Sequence, residues 1–213
     1  MGVLRVCLVI DYQNIHLTAH DLFAPNGTAV EDCLIDPLRF AEQVVAVRSR
    51  NQRDERQKDA SVTAVRVFRG QPSNHRQSFV YGISQRQRSE WTRDRRVTVT
   101  YRPLRYPPNW PTDPAQEKGV DVLTALTLVR AAASGDYDVA ILASHDTDLE
   151  PALDMAASDG RCKIETCGWQ GARVLRLGNG RRLWHTALSG ADMVATRDRR
   201  DYLPPNGLKR NGF

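Results

Sequence analysis

Leu4-Arg5-Val6-Cys7-Leu8-Val9-Ile10-Asp11 is an apolar, β-branched run closed by an acid. It is too short for a helix and reads as a buried strand. Val139-Ala140-Ile141-Leu142-Ala143 is a second run of this kind. It too leads into acids, in Ser144-His145-Asp146-Thr147-Asp148. Further strands are read at residues 61–68, 97–101 and 163–166. Helices are read between them. One covers 37–50, with Asp36 as N-cap and Pro37 in the first turn. Another covers 76–94. The strongest signal lies at 120–133, and a last helix runs from 148 to 158 with Pro151 tolerated in its first turn. Strand and helix alternate, so the expected class is α/β, a mostly parallel five-stranded sheet with helices on both faces.

The remaining segments read as irregular. Residues 17–35, with Pro25-Asn26-Gly27, look like a loop insertion. Residues 103–114 contain five prolines and cannot form regular structure. Residues 168–182 are rich in Gly and Arg, and a short helix or strand follows within 183–194. Residues 197–213 read as a flexible basic tail, leaving one domain over 1–196.

The composition agrees with a globular domain. The chain has 213 residues, 41% hydrophobic and 26% charged, which excludes a disordered, collagen-like or coiled-coil chain. No apolar run reaches the ~18 residues of a membrane span. The apolar start lacks a small-residue cleavage site, so a cytoplasmic, reduced protein and no membrane partner are expected. Cys7 reads as a core thiol, and Cys162 and Cys167 have the wrong spacing for zinc. The net charge is +5, and 26 of the 30 basic residues are arginine. Arginine pairs bidentately with phosphate, so a nucleic-acid partner is permitted. Codon bias in a GC-rich genome accounts for the same excess.

Ligands of an open parallel sheet bind beyond the carboxyl ends of its strands. Asp11 ends the first strand there, and Asp146 and Asp148 follow the fourth. Asp121 opens the strong helix that precedes the fourth strand. Singly, each acid reads as a turn former or a helix cap. Together, converging carboxylates repel, by about 4 kcal/mol for two charges ~4 Å apart at an effective dielectric near 20. A divalent cation removes that penalty, and an all-oxygen donor set suits Mg²⁺ or Mn²⁺. Such an ion activates water and neutralises phosphoryl oxygens.

Three segments carry a family likeness. Val9-Ile10-Asp11-Tyr12-Gln13-Asn14-Ile15 resembles the hydrophobic-Asp-x-x-Asn opening of NYN domains, members of the PIN-like nuclease superfamily. Lys118-Gly119-Val120-Asp121 is similar to their Lys-Gly-x-Asp segment, and Ser144-His145-Asp146-Thr147-Asp148 to their Ser-Gly-Asp-Ser-Asp. The resemblance covers roughly residues 3–195. It implies a Rossmann-like sheet of order 3-2-1-4-5 and a metal-dependent ribonuclease, most simply an endonuclease. It implies Asp11, Asp121, Asp146 and Asp148 as catalytic metal ligands, and Asn14 positioning substrate or a water. Ser144 and Thr147 would orient the carboxylates, and Lys118 would meet a phosphate or pair with an acid. His145 departs from the family's Gly; its ring could crowd the site, stack on a base or point away. His16 and His20 read as loop residues.

RNA needs basic side chains for its backbone and aromatic platforms for its bases. Residues 93–110 supply both. Arg93 and Arg96 read as a solvated helix end, whereas Arg102 and Arg105 are candidate substrate contacts. Arg173, Arg176, Arg181 and Arg182 form a second basic group. Two other classes compete with the ribonuclease. One is a non-catalytic RNA-binding module of the same fold. The other is a metal-dependent phosphatase, which would want an acid where Gln13 stands. A homodimer stays open.

Overall fold

Val6 to Ile10 are each 1% exposed or less. They are sealed because β1 (Leu4–Asp11) lies in the middle of a fully parallel sheet. β1 hydrogen-bonds on one side to β2 (Ala60–Gln71) and on the other to β4 (Val139–Ala143). β3 (Val97–Pro103) lies outside β2. β5 (Lys163–Trp169) and β6 (Trp184–Leu188) lie outside β4. The computed structural model describes residues 2–57, 59–158 and 160–204. Among the described residues no helix is long and apolar enough to cross a membrane.

The alternation along β1 divides the core. Val6, Leu8 and Ile10 pack with α1 (Tyr12–Phe23) and α2 (Pro37–Asn51). The same layer takes Trp91 of α3 (Ser78–Trp91) and Met193 of α6 (Gly190–Thr196). Cys7 and Val9 pack with α4 (Val120–Ser134) and α5 (Glu150–Ser158). Asp11 continues the Cys7–Val9 parity and faces the α4 layer. The sheet order is β3-β2-β1-β4-β5-β6. The chain therefore winds outward from β1 in one direction, then returns and winds out from β4 in the other. The reversal opens a crevice at the carboxyl ends of β1 and β4.

The structure departs from the sequence reading in three places. The sheet has six strands, not five. The extra one, Trp184–Leu188, is an edge strand with only Thr186 and Leu188 fully buried, too short and polar to declare itself. The loop expected over 17–35 begins inside α1, whose buried Tyr12, Ile15, His16 and Ala19 follow a helical period. The rest of that segment is tied to α1: His20 Nε2 bonds the Thr28 carbonyl (2.9 Å), His16 Nε2 that of Val30 (3.0 Å), and the Tyr12 hydroxyl donates to Ile35 (2.9 Å). Residues 198–202, expected in the tail, pack on the domain. Asp198 is buried and accepts from Trp91 Nε1 (2.7 Å) and the Tyr202 hydroxyl (2.6 Å), while Arg200 pairs with Asp36 (2.7 Å). Charges that looked solvated neutralise one another on the domain. Residues 205–213 lie outside the described residues.

One ion pair crosses the α2–β5 interface. Arg48 and Glu165 are both fully buried and meet in a fork, Nε to Oε2 at 2.7 Å and Nη2 to Oε1 at 2.8 Å. Arg48 Nη1 also donates to the Gln57 carbonyl at 2.6 Å. Lys163 Nζ also lies 3.0 Å from Glu165 Oε1 but is exposed, so removing Arg48 leaves the buried carboxylate only partly compensated. Arg48→Met is expected to lower stability by about 3–5 kcal/mol, and Arg48→Met/Glu165→Met to recover much of that. Urea midpoints at unchanged denaturant slope would measure both.

Candidate functional site

Asp11 ends β1 and caps α1, so one residue serves as last strand position and helix N-cap. It is 7% exposed. Its carboxylate accepts from the Asn14 amide (3.4 Å) and from the Ser144 hydroxyl (3.2 Å). Ser144 Oγ in turn accepts from the Asp146 amide (3.1 Å), and Asn14 Oδ1 accepts from the His145 amide (2.8 Å). The loop after β4 is thereby stitched to the end of β1 by side chains from both segments. Asp146 caps a 3-10 turn, Thr147–Leu149, and accepts from the Asp148 amide at 3.0 Å.

The proline-bearing loop closes the other side. Arg105 and Gln116 exchange backbone hydrogen bonds (2.8 and 2.9 Å), folding residues 105–116 back on themselves. Glu117 then reaches the carboxyl end of β2, where it accepts from the Gly70 amide. Gly70 is needed there, because a Cβ would run into Glu117 and Leu104. Gly119, at φ +75°, turns the chain into α4 and places Asp121 in its first turn.

The result is a cleft of about 540 Å³ at the switch point, lined by Asp11, Glu117, Lys118, Asp121 and Asp146. Three of the four predicted acids meet in it. Asp148 does not; it is exposed on the 3-10 turn and, among the described residues, touches the network through its amide. Glu117 is the acid the sequence reading missed. Its sole signal is its place just before Lys118-Gly119-Val120-Asp121, and its approach to β2 is a tertiary event. Arg102 lies beside Gly119 with Nε 3.5 Å from the Lys118 carbonyl. Arg105 is exposed on the folded loop, and Arg93 and Arg96 are paired with Glu90, Asp94 and Glu42, as expected of a helix end. Tyr106 and Trp110 stack edge to face with Arg76 above them.

The electrostatics are those of mutually repelling acids. Burial pushes the Asp11 carboxyl up to about 6; bonds from Asn14 and Ser144 oppose this, and the negative charges of Glu117 and Asp146 add to it. Burial also raises Glu117, against the Gly70 amide and Arg69, with Asp121 adding repulsion. Among the described residues none of the four cleft acids has an ion pair. Nor do three His, Cys, Asp or Glu side chains among them stand close enough to hold an ion as placed. An all-oxygen donor set of mutually repelling carboxylates fits a hard divalent cation that keeps part of its water shell, as Mg²⁺ does.

His145 packs away from the cleft. Its Nε2 accepts from the Trp169 amide (3.2 Å), so Nδ1 carries the proton and donates to the Arg173 carbonyl (2.7 Å). Burial lowers its pKa and keeps it neutral. Its ring fills the space where Gly168 would have a Cβ. Gly168→Ala is therefore expected to destabilise by about 1–3 kcal/mol, and less so in a His145→Gly background; thermal midpoints would decide.

The Asp11 shift sets a pH dependence. Its folded pKa of about 6 exceeds that of an unfolded aspartate, about 3.9. The folded state binds the proton more tightly, so the contribution of Asp11 is fully favourable below pH ~4 and is lost as pH rises through ~6. Without divalent ions, Asp11→Asn is expected to stabilise by on the order of 1–2 kcal/mol at pH 7 and to lose that gain at pH 4. Denaturant titrations at the two pH values would show it.

A crystal structure of a protein of unknown function from Vibrio parahaemolyticus matches at 16% identity over 81% of this chain and 85% of that one, with a TM-score of 0.48, too loose a likeness to argue from. No curated protein sequence matches. The NYN domain model matches residues 5–176, a span that runs from β1 past β5 and includes every residue of the cleft. The chain belongs to the NYN domain family, whose α/β architecture is that of PIN-like nucleases.

Proposed function

We propose that this protein is a metal-dependent ribonuclease that hydrolyses RNA phosphodiester bonds, cutting within the strand. One observation carries the reading: Asp11, buried at the end of β1, shares a cleft with Asp146, Asp121 and Glu117 and has no cationic side chain paired to it among the described residues. Asp11, Asp121 and Asp146 would hold Mg²⁺ or Mn²⁺, with Asp148 and Glu117 reaching it through water. When bound, the ion supplies Lewis-acid polarisation of a phosphoryl oxygen and a water of lowered pKa.

The chain's own residues do the positioning. Ser144 fixes the Asp11 carboxylate and the Asp146 amide together, so two acids from distant segments keep one geometry. Asn14 holds the same loop through the His145 amide. Thr147 opens the turn that Asp146 caps. Lys118 lines the cleft and, with Arg102 near the end of β3 and Arg105 on the adjoining loop, offers positive charge to the phosphates on either side of the cut.

The test is cleavage of labelled RNA with Mg²⁺ or Mn²⁺. Asp146→Asn is expected to reduce the rate by more than about 100-fold, and Ser144→Ala by roughly 10–100-fold, the usual effect of losing a partner that orients a ligand. Cleavage unchanged in Asp146→Asn would reject the site. RNA bound but left intact by the wild type would favour a non-catalytic binding module.

A further inference from the structure

The connection between β5 and β6 carries Arg173, Arg176, Arg181 and Arg182, all exposed. Among the described residues none of them has an ion pair. Yet this loop is a built element. Leu175 and Leu177 are buried in the α4–α5 core, so Arg176 between them is held outward. The Arg176 amide donates to Glu150 Oε1 at 3.0 Å, and the Gly178 amide to both Asp154 oxygens at 2.9 and 3.0 Å. Arg173, Arg176 and Arg182 stand around a cavity of about 950 Å³. Glu150, at its wall, is the one carboxylate among the described lining residues. His185 lines it as well; its Nδ1 meets Thr166 Oγ1 at 2.9 Å, and its buried Nε2 has no partner among the described residues.

The loop is also tied to the acid cleft. His145 Nδ1 donates to the Arg173 carbonyl, and the next residue, Asp146, lines the cleft. A cationic cavity is thus held at a fixed offset from the proposed site of cleavage. Guanidinium groups without carboxylate partners are suited to phosphate oxygens, and a pre-ordered loop lessens the ordering cost of binding.

We infer that this loop holds the phosphodiester backbone of the RNA strand as it leaves the acid cleft, with Arg173, Arg176 and Arg182 on its phosphates. The inference rests on the ribonuclease reading for the identity of the strand. Backbone contacts position a nucleic acid without reading its sequence, so the loop adds affinity for any sequence.

The experiment uses the full chain in EDTA with fluorescent single-stranded RNA of about 20 nucleotides, followed by anisotropy between about 50 and 200 mM salt. Wild type is compared with Arg173→Gln/Arg176→Gln/Arg182→Gln, whose urea midpoint should not move because all three side chains are exposed. The variant is expected to bind at least about 10-fold more weakly at physiological salt. Its slope of log affinity against log salt should be shallower by about two, since each phosphate left without its guanidinium accounts for about 0.7. Equal affinity and slope, in a wild type that binds and cuts RNA, would overturn this inference alone. A wild type that neither binds nor cuts would remove the ribonuclease reading together with it. Adenosine monophosphate displacing RNA fully from the wild type at submillimolar concentration, but not from the variant, would make the cavity a free-nucleotide site and also overturn the proposal.

Discussion

A carboxylate held out of water beside other carboxylates is the constraint around which this molecule is arranged. Asp11 sits where it does because β1 is paired on both sides from Val6 to Ile10, and side-chain alternation aims it at the α4 layer. Burial and like charge both oppose its ionisation, and the two hydrogen bonds it accepts offset only part of that cost. A structural aspartate in this place would ordinarily have an arginine beside it, as Glu165 does in Arg48. The contrast between these two buried acids separates a carboxylate that serves the fold from one suited to a ligand.

The loops that carry the other acids are stiff for reasons visible in their backbones. Ser144 and Asn14 lock the loop after β4 to the start of α1. The Arg105–Gln116 backbone pair and the Glu117–Gly70 contact lock the loop before α4 to β2. His145 extends the chain of contacts outward to the arginine-bearing loop after β5. Its substitution for the family's small residue is absorbed because Gly168 offers no side chain to meet it. Pre-ordered donors of this kind are what polar catalysis and phosphate recognition require, since they need no rearrangement when charge arrives.

Much of this was legible in the chain. Apolar runs at β1 and β4, the Asp36-Pro37 helix start and the strand–helix alternation are local signals, and each element they predict is present. The three acidic segments could be assigned to one end of the sheet because Asp11 and the Asp146 segment follow strand ends, and a helix between parallel strands starts at that same end. Less legible were elements whose patterns are mixed. α1 was obscured by its polar surface and buried His16, and β6 by its brevity. Residues 197–203 looked solvated because nothing local shows that Asp198 will be buried against Trp91.

The fold class and the gathering of acids at the carboxyl edge could be read from the chain alone, because periodicity and strand polarity are properties of short segments. Tertiary structure alone decided which acids share the cleft. Glu117 joins it through an amide 47 residues away on β2, while Asp148, two residues from Asp146, is carried out to solvent by the 3-10 turn. Contacts between remote segments and the pitch of a single turn set such distances, and neither is written in the spacing of residues along the chain.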